Sequence, residues 1–193
     1  MAARGAVARA HRAVAECLYA GAWAVDATVG NGHDTLFLAQ MVGEGGRVDG
    51  VDTQTPALSA ARARLAEAGV LDRVRLHQGG HERLPYLLPG QAAGRVQAVM
   101  FNLGFLPGGE KTLITRPETT LAALDASIAL LAPEGRLSVV AYPGHPGGAE
   151  ECAAVMEWAE GGSGKELHIL ARDAPEESDR GVPRMVALER IPF

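Results

Sequence analysis

Residues 26–35 read Asp-Ala-Thr-Val-Gly-Asn-Gly-His-Asp-Thr. An apolar run, residues 23–25, precedes them, and Leu36, Phe37, Leu38 and Ala39 follow. The pattern is a strand, a glycine turn and a helix start, which lets a ligand approach bare backbone N–H groups at a helix N-terminus. Further on, Asp52 ends a second apolar run carrying Val48 and Val51. An acid at the tip of a second strand is placed to bind the two hydroxyls of a ribose. Together the two features predict a nucleoside-containing cofactor.

These residues need elements to hold them. Val7, Ala10, Val14, Cys17 and Leu18 share one helical face and predict a leading helix within residues 1–20. Strands are expected at 23–27, 47–52, 73–77, 95–103, 136–142, 166–171 and 185–191, with helices between them. Thr55 is expected to cap one helix, with Pro56 at its first position and Leu58, Ala61, Leu65 and Ala68 as its buried stripe. Thr115 and Glu118 fit a capping box opening a helix that buries Leu121, Leu124, Ile128 and Leu131. Alternating strands and helices predict an α/β fold with a doubly wound, Rossmann-like sheet of seven strands. Only a loop joins the last two strands, so the final strand is expected to be antiparallel. That is the arrangement of class I methyltransferases.

The bulk properties agree with one domain over 1–193. Hydrophobic content of 47% and charged content of 21% are ordinary for a globular protein. No apolar stretch reaches the roughly 18 residues needed to span a bilayer, so no membrane partner is expected. The N-terminal arginines are not followed by a compact apolar segment and cleavage site, which points to the cytoplasm. Cys17 and Cys152 have neither metal-site nor redox-pair spacing and are read as buried thiols, with no metal expected. A net charge of −5 weighs mildly against a nucleic-acid binder without excluding one.

Two cofactor chemistries compete for the glycine turn. A nicotinamide dehydrogenase requires Gly-x-Gly-x-x-Gly, and Thr35 occupies the third glycine's place. Methyltransferases using S-adenosylmethionine (SAM) place an acid before the turn, where this chain has Asp26. Thr28 departs from that pattern, since many methyltransferases have glycine there. The fourth strand ends in Asn102-Leu103-Gly104-Phe105-Leu106-Pro107-Gly108-Gly109-Glu110-Lys111, where amino-group methyltransferases carry an Asn-Pro-Pro-Tyr-like tetrapeptide. An amine attacking a sulfonium methyl needs its lone pair aimed along the S–C bond. An Asn side-chain oxygen and a backbone carbonyl can each accept an N–H and fix that direction. An aromatic ring such as Phe105 can stack on a planar base. The plainer alternatives are a ligand-free βα turn and a Gly/Pro loop with a core Phe.

With these two motifs and the loop Tyr142-Pro143-Gly144-His145-Pro146-Gly147-Gly148, the chain resembles the family labelled "putative rRNA methylase", over roughly residues 6–191. Members of that family are associated with tRNA wobble-uridine modification. The resemblance implies SAM-dependent methylation of 5-aminomethyl-2-thiouridine to 5-methylaminomethyl-2-thiouridine, with the tRNA anticodon stem-loop as partner. An rRNA or small-molecule amine methyltransferase, and a non-catalytic SAM-binding regulator, are the alternatives. A small domain facing tRNA often gains surface by dimerising, so a homodimer stays open.

The resemblance also implies roles. Asp26, Thr28, Gly30, Asn31 and Gly32 would form the turn around the methionine half of SAM. Asp34 and Thr35 would cap the following helix and reach the carboxylate or ammonium. Asp52 would bind the ribose, Thr53 and Gln54 would line the adenosine wall, and His81 or Glu82 would meet adenine. His33 would support the turn. Asn102, Gly104 and Phe105 form the expected catalytic end, with Asn102 also expected at the cofactor, while Lys111, Arg116, Tyr142 and His145 are the expected substrate contacts. The basic segment 4–12 is a further candidate for gripping tRNA.

Overall fold

The apolar runs of the sequence become a seven-stranded sheet in the order β3-β2-β1-β4-β5-β7-β6. The computed structural model describes residues 5–106, 108, 114–161, 166–173 and 181–192. The strands are β1 (Trp23–Asp26), β2 (Arg47–Asp52), β3 (Val74–Gln78), β4 (Val96–Asn102), β5 (Leu131–Ala141), β6 (Leu167–Arg172) and β7 (Arg184–Arg190). β7 runs antiparallel between β5 and β6, and the other pairings are parallel. The class I methyltransferase sheet expected from the strand pattern is therefore present.

The helices are α1 (Ala6–Ala15), α2 (His33–Val42), α3 (Thr55–Glu67), α4 (Leu84–Leu87), α5 (Pro117–Leu130) and α6 (Gly148–Gly161). They cover both faces of the sheet. Successive strand residues alternate between two cores. Ala98 and Met100 pack with α1, α2 and α3, whereas Val99 and Phe101 pack with α5 and α6. Burial on both faces explains why the strands read as nearly continuous apolar runs. Among the described residues, no helix is long and apolar enough to cross a membrane.

Four local expectations change. α3 has Gln54 as its N-cap, and the Thr55 hydroxyl instead accepts the side-chain N–H of Gln78 at 3.0 Å. The buried stripe of α3 is Ala57, Ala61 and Leu65. Leu131 leaves the helix: it is the extended C-cap of α5 and opens β5, and Pro133 bars helical backbone from resuming at Ala132. Cys152 is buried, whereas Cys17 is half-buried with its thiol directed at the carbonyls of Val14 and Gln97. Burial raises the Cys17 thiol to about 11.

The strand order reverses between β1 and β4. Side chains at the carboxyl ends of these two strands border the crevice that such a switch point creates.

Candidate functional site

The turn after β1 is held by backbone and by one buried acid. Ala27 N–H donates to Met100 O at 2.9 Å and Val29 N–H to Val51 O at 3.1 Å, tying the turn to β4 and β2. Gly30 and Gly32 have φ of 49° and 78°, a region that costs glycine little. A Cβ on Gly32 would lie 2.8 Å from the Ala61 Cα, so this glycine also admits α3. Asp26 is fully buried and accepts Thr28 N–H at 3.1 Å and the Thr35 hydroxyl at 2.5 Å. Burial, followed by the nearby Asp34 charge, raises its carboxyl to about 7.

Above the turn lies a cleft of about 670 Å³, within the size range of small-molecule sites. Of the residues expected around the cofactor, Thr28, Gly30, Asn31, Asp34, Asp52, Thr53, Gln54, His81 and Glu82 line it. Asp26, Gly32 and Thr35 do not; they sit beneath the turn and shape it. The expected capping by Asp34 and Thr35 is also corrected. Gly32 is the N-cap of α2, without a side-chain cap, and both side chains point to other partners. The Asp52 carboxylate accepts Gly30 N–H at 2.8 Å and Gln54 N–H at 2.9 Å. About two of a carboxylate's four acceptor positions remain for a ligand.

His81 and Glu82 diverge. His81 is buried, edge-on to Phe101 at 5.8 Å and 3.4 Å from the Thr120 hydroxyl. Burial lowers its pKa despite the opposing charge of Glu82. Glu82 is half-buried, and its carboxylate lies over Gly80.

The other end of the cleft is built on β4. Asn102 N–H donates to the Thr28 hydroxyl at 2.7 Å, and Asn102 Nδ2 donates to Asp34 Oδ2 at 3.0 Å. Gly104 N–H donates to the Thr115 hydroxyl at 2.9 Å, and Thr115 N–H returns a bond to Gly104 O at 3.0 Å. Phe105 bridges to Ile114 and is 40% exposed, so its ring is available to a partner. Tyr142, His145 and Arg116 also line the cleft. Lys111 lies outside the described residues. Burial, with Asp34 nearby, raises the Tyr142 phenol. The His145 ring stands edge-on to Phe105, its Nδ1 3.0 Å from Pro146 O and its Nε2 buried beside Gly104 and Gly148. It therefore supports the loop as well as lining it.

The expected capping box at Thr115 is not formed. Arg116 is the N-cap of α5, and the Thr115 hydroxyl donates to Glu151 Oε2 at 2.6 Å. Thr120 donates to the other oxygen of Glu151 at 2.7 Å. Glu151 is 1% exposed and thus clamps the loop after β4 to α5 and α6. Sequence reasoning missed it because an acid in the first turn of a helix ordinarily reads as a favourable macrodipole charge. It also missed His11, whose Nε2 lies 2.6 Å from Asp34 Oδ1.

Known proteins share this architecture. The model of the family described as "Putative rRNA methylase" matches residues 48–188. The chloroplastic tRNA (mnm(5)s(2)U34)-methyltransferase of Arabidopsis thaliana is 40% identical over 160 residues, covering 79% of this chain and 58% of that protein. The chain thus spans little more than half the length of that relative. The crystal structure of a putative rRNA-methylase from Clostridium thermocellum superposes with a TM-score of 0.90 at 36% identity, covering 99% of this chain and 100% of that one. A putative methyltransferase of Streptococcus mutans in complex with SAH superposes with a TM-score of 0.85 at 28% identity, covering 98% and 99%. With residues 48–188 matched by the family model and the fold shared along nearly the whole chain, the chain belongs to the family described as "Putative rRNA methylase".

Proposed function

We propose that the chain is a SAM-dependent methyltransferase acting on RNA. Its proposed acceptor is the aminomethyl group of a tRNA wobble uridine, so that 5-aminomethyl-2-thiouridine becomes 5-methylaminomethyl-2-thiouridine. The observation that carries the reading is one continuous cleft with Asp52 at one end and Asn102 and Phe105 at the other. The first end suits a nucleoside, and the second suits an amine on a planar base. The similarity to the plant tRNA methyltransferase supports the tRNA substrate.

The residues present fit SAM, a ligand with a sulfonium and an ammonium. Asp26, Asp34 and Asp52 surround the turn, and a cation relieves the charge repulsion among them. The N-terminus of α2, which in other proteins draws phosphate, here carries Asp34. A pyrophosphate would meet negative charge there.

In this reading Asp52 holds the ribose hydroxyls, Glu82 the adenine amine, and Thr53 and Gln54 the adenosine wall. Thr28, Gly30, Asn31 and Asp34 enclose the methionine half from above, while Asp26, Gly32 and Thr35 fix the turn from below. SAM supplies an electrophilic methyl: the amine lone pair forms the N–C bond, the S–C pair returns to sulfur, and the resulting ammonium gives a proton to water. Asn102 Oδ1 accepts an amine N–H and aims the lone pair. Phe105 stacks on the base. Arg116 and Lys111 meet backbone phosphates, and Tyr142 and His145 form the rim. The cytoplasm remains part of the proposal, although the plant relative is chloroplastic.

Nucleoside mass spectrometry tests the reading. Bulk tRNA from cells lacking the final methylation is incubated with the protein and SAM. The expected result is loss of 5-aminomethyl-2-thiouridine and gain of its methylamino product. Unchanged tRNA nucleosides would reject the substrate, and methylated rRNA in a parallel incubation would replace it.

A further inference from the structure

We propose that His11, on α1, is a positioning residue for methyl transfer. Acting through Asp34, it fixes the Asn102 side-chain amide with its oxygen toward the acceptor. This rests on the reading that Asn102 orients the amine.

The geometry is a chain across three elements. His11 Nε2 lies 2.6 Å from Asp34 Oδ1, and Asp34 Oδ2 accepts Asn102 Nδ2 at 3.0 Å. The partners are 23 and 68 residues apart in sequence. The His11 ring is stacked flat on Phe37, with centroids 3.9 Å apart and planes 4° apart. It is therefore held over a face and at one nitrogen. Asp34 is only 6% exposed, so its carboxylate depends on protein partners rather than water.

The chemistry of the chain decides the amide's orientation. An ionised carboxylate only accepts, so the NH₂ side of Asn102 must face Asp34 and Nε2 of His11 must donate. The Asn102 backbone is fixed independently by its N–H to the Thr28 hydroxyl at 2.7 Å. With main chain and NH₂ both committed, Oδ1 is left as the acceptor. A turned amide would offer an N–H to the amine lone pair and occupy the electrons that must form the new bond. Without the His11 donor, Asp34 loses one of its two charge-assisted partners and is free to rotate, and Asn102 with it. The pattern parallels outer partners that orient metal ligands, whose loss typically costs about 10- to 100-fold. A similar loss follows from small misplacement of a reacting group.

His11→Phe keeps a flat ring against Phe37 and deletes the donor, while His11→Gln keeps a side-chain N–H. Three measurements on the full chain separate the roles: single-turnover methyl transfer to tRNA, SAM affinity by calorimetry, and the Asn102 side-chain NH₂ signals in a ¹⁵N-correlation spectrum without cofactor. At saturating SAM, His11→Phe is expected to slow transfer roughly 10- to 100-fold, a larger factor than the loss of SAM affinity that follows from disturbing Asp34. Its Asn102 NH₂ signals are expected to move to the positions of a freely solvated amide. His11→Gln is expected to recover most of the rate and the original signals. A His11→Phe variant with wild-type transfer overturns the proposal. So does a His11→Gln variant as slow as His11→Phe, or a rate loss matched by an equal loss of SAM affinity. If wild type transfers no methyl to tRNA, the substrate reading fails alone. The NH₂ signals then decide the chain, and signals unmoved in His11→Phe reject it.

Discussion

Asp26 is a carboxyl held where its charge is disfavoured. Burial foremost, and then Asp34, raise it from 3.8 to about 7 against the opposing hydrogen bonds of Thr35 and Thr28. A raised carboxyl favours folding in its protonated form. Its contribution is full below about 3.8 and is lost as pH rises through about 7. Asp26→Asn has the same shape, stays neutral at every pH, and can still engage Thr28 and Thr35. The cofactor-free variant is expected to be more stable than wild type at pH 8. At about 1.4 kcal/mol per pKa unit the gain is on the order of a few kcal/mol, closing towards pH 4. Urea unfolding midpoints at several pH values measure this, and a pH-independent gap or a less stable variant at pH 8 would contradict it. The same residues show what was legible in the sequence. The placing of Gly30, Asp52, Asn102 and Phe105 around one cleft was legible because it depends on near neighbours and on strand ends, whereas Asp26, expected beside the ligand, lies beneath the turn. His11 and Glu151 were not legible, because each acquires its role from partners on other elements. Thr115 has the local pattern of a cap, and a tertiary partner outcompetes it.

At the scale of elements, the sheet was legible because strands buried on both faces leave continuous apolar runs. The amphipathic stripe of α1 was equally plain. Where α1 docks was not, because the docking group lies on a distant strand. Arg136 of β5 donates to Ala13 O at 2.6 Å and Glu16 Oε2 at 2.7 Å, and through Nε to Glu189 of β7 at 2.8 Å. A guanidinium at the carboxyl end of α1 both satisfies a terminal carbonyl and matches the helix dipole. Arg9 adds an ion pair to Asp173 from the same helix. Arg136→Met retains the aliphatic stem and removes the three polar contacts. It is expected to cost about 1–3 kcal/mol, the usual range for losing bonded partners of buried groups. The amides of α1 are expected to exchange faster than those of β4. Hydrogen exchange followed by mass spectrometry resolves the two segments; equal protection of α1 in variant and wild type would show that the apolar stripe alone docks the helix.

For the whole molecule, the sign of the charge in the cleft separates the two cofactor chemistries that share a glycine turn. The chain carries a net charge of −5, and Asp34 lines the cleft at the first turn of α2. A pyrophosphate placed there would meet a carboxylate, while an ammonium or sulfonium would be attracted. A ligand that binds only the folded state stabilises it by RT ln(1 + [L]/Kd), or about 2.7 kcal/mol at a hundredfold excess over Kd. For a chain of 193 residues, each kcal/mol moves Tm by roughly 2–4 °C. SAM at that excess is therefore expected to raise Tm by roughly 5–10 °C. SAH keeps the ammonium and the nucleoside and should also stabilise, while NADH at equal concentration should leave Tm unchanged. Added salt should diminish the SAM shift, because screening weakens attraction between the ligand and the acids that ring the turn. A scanning-fluorimetry series with the three ligands at low and high salt makes the comparison directly. An NADH shift as large as that of SAM would return the turn to the dinucleotide class despite Thr35 and Asp34. A SAM shift indifferent to salt would assign its binding to burial and hydrogen bonding rather than to the carboxylates.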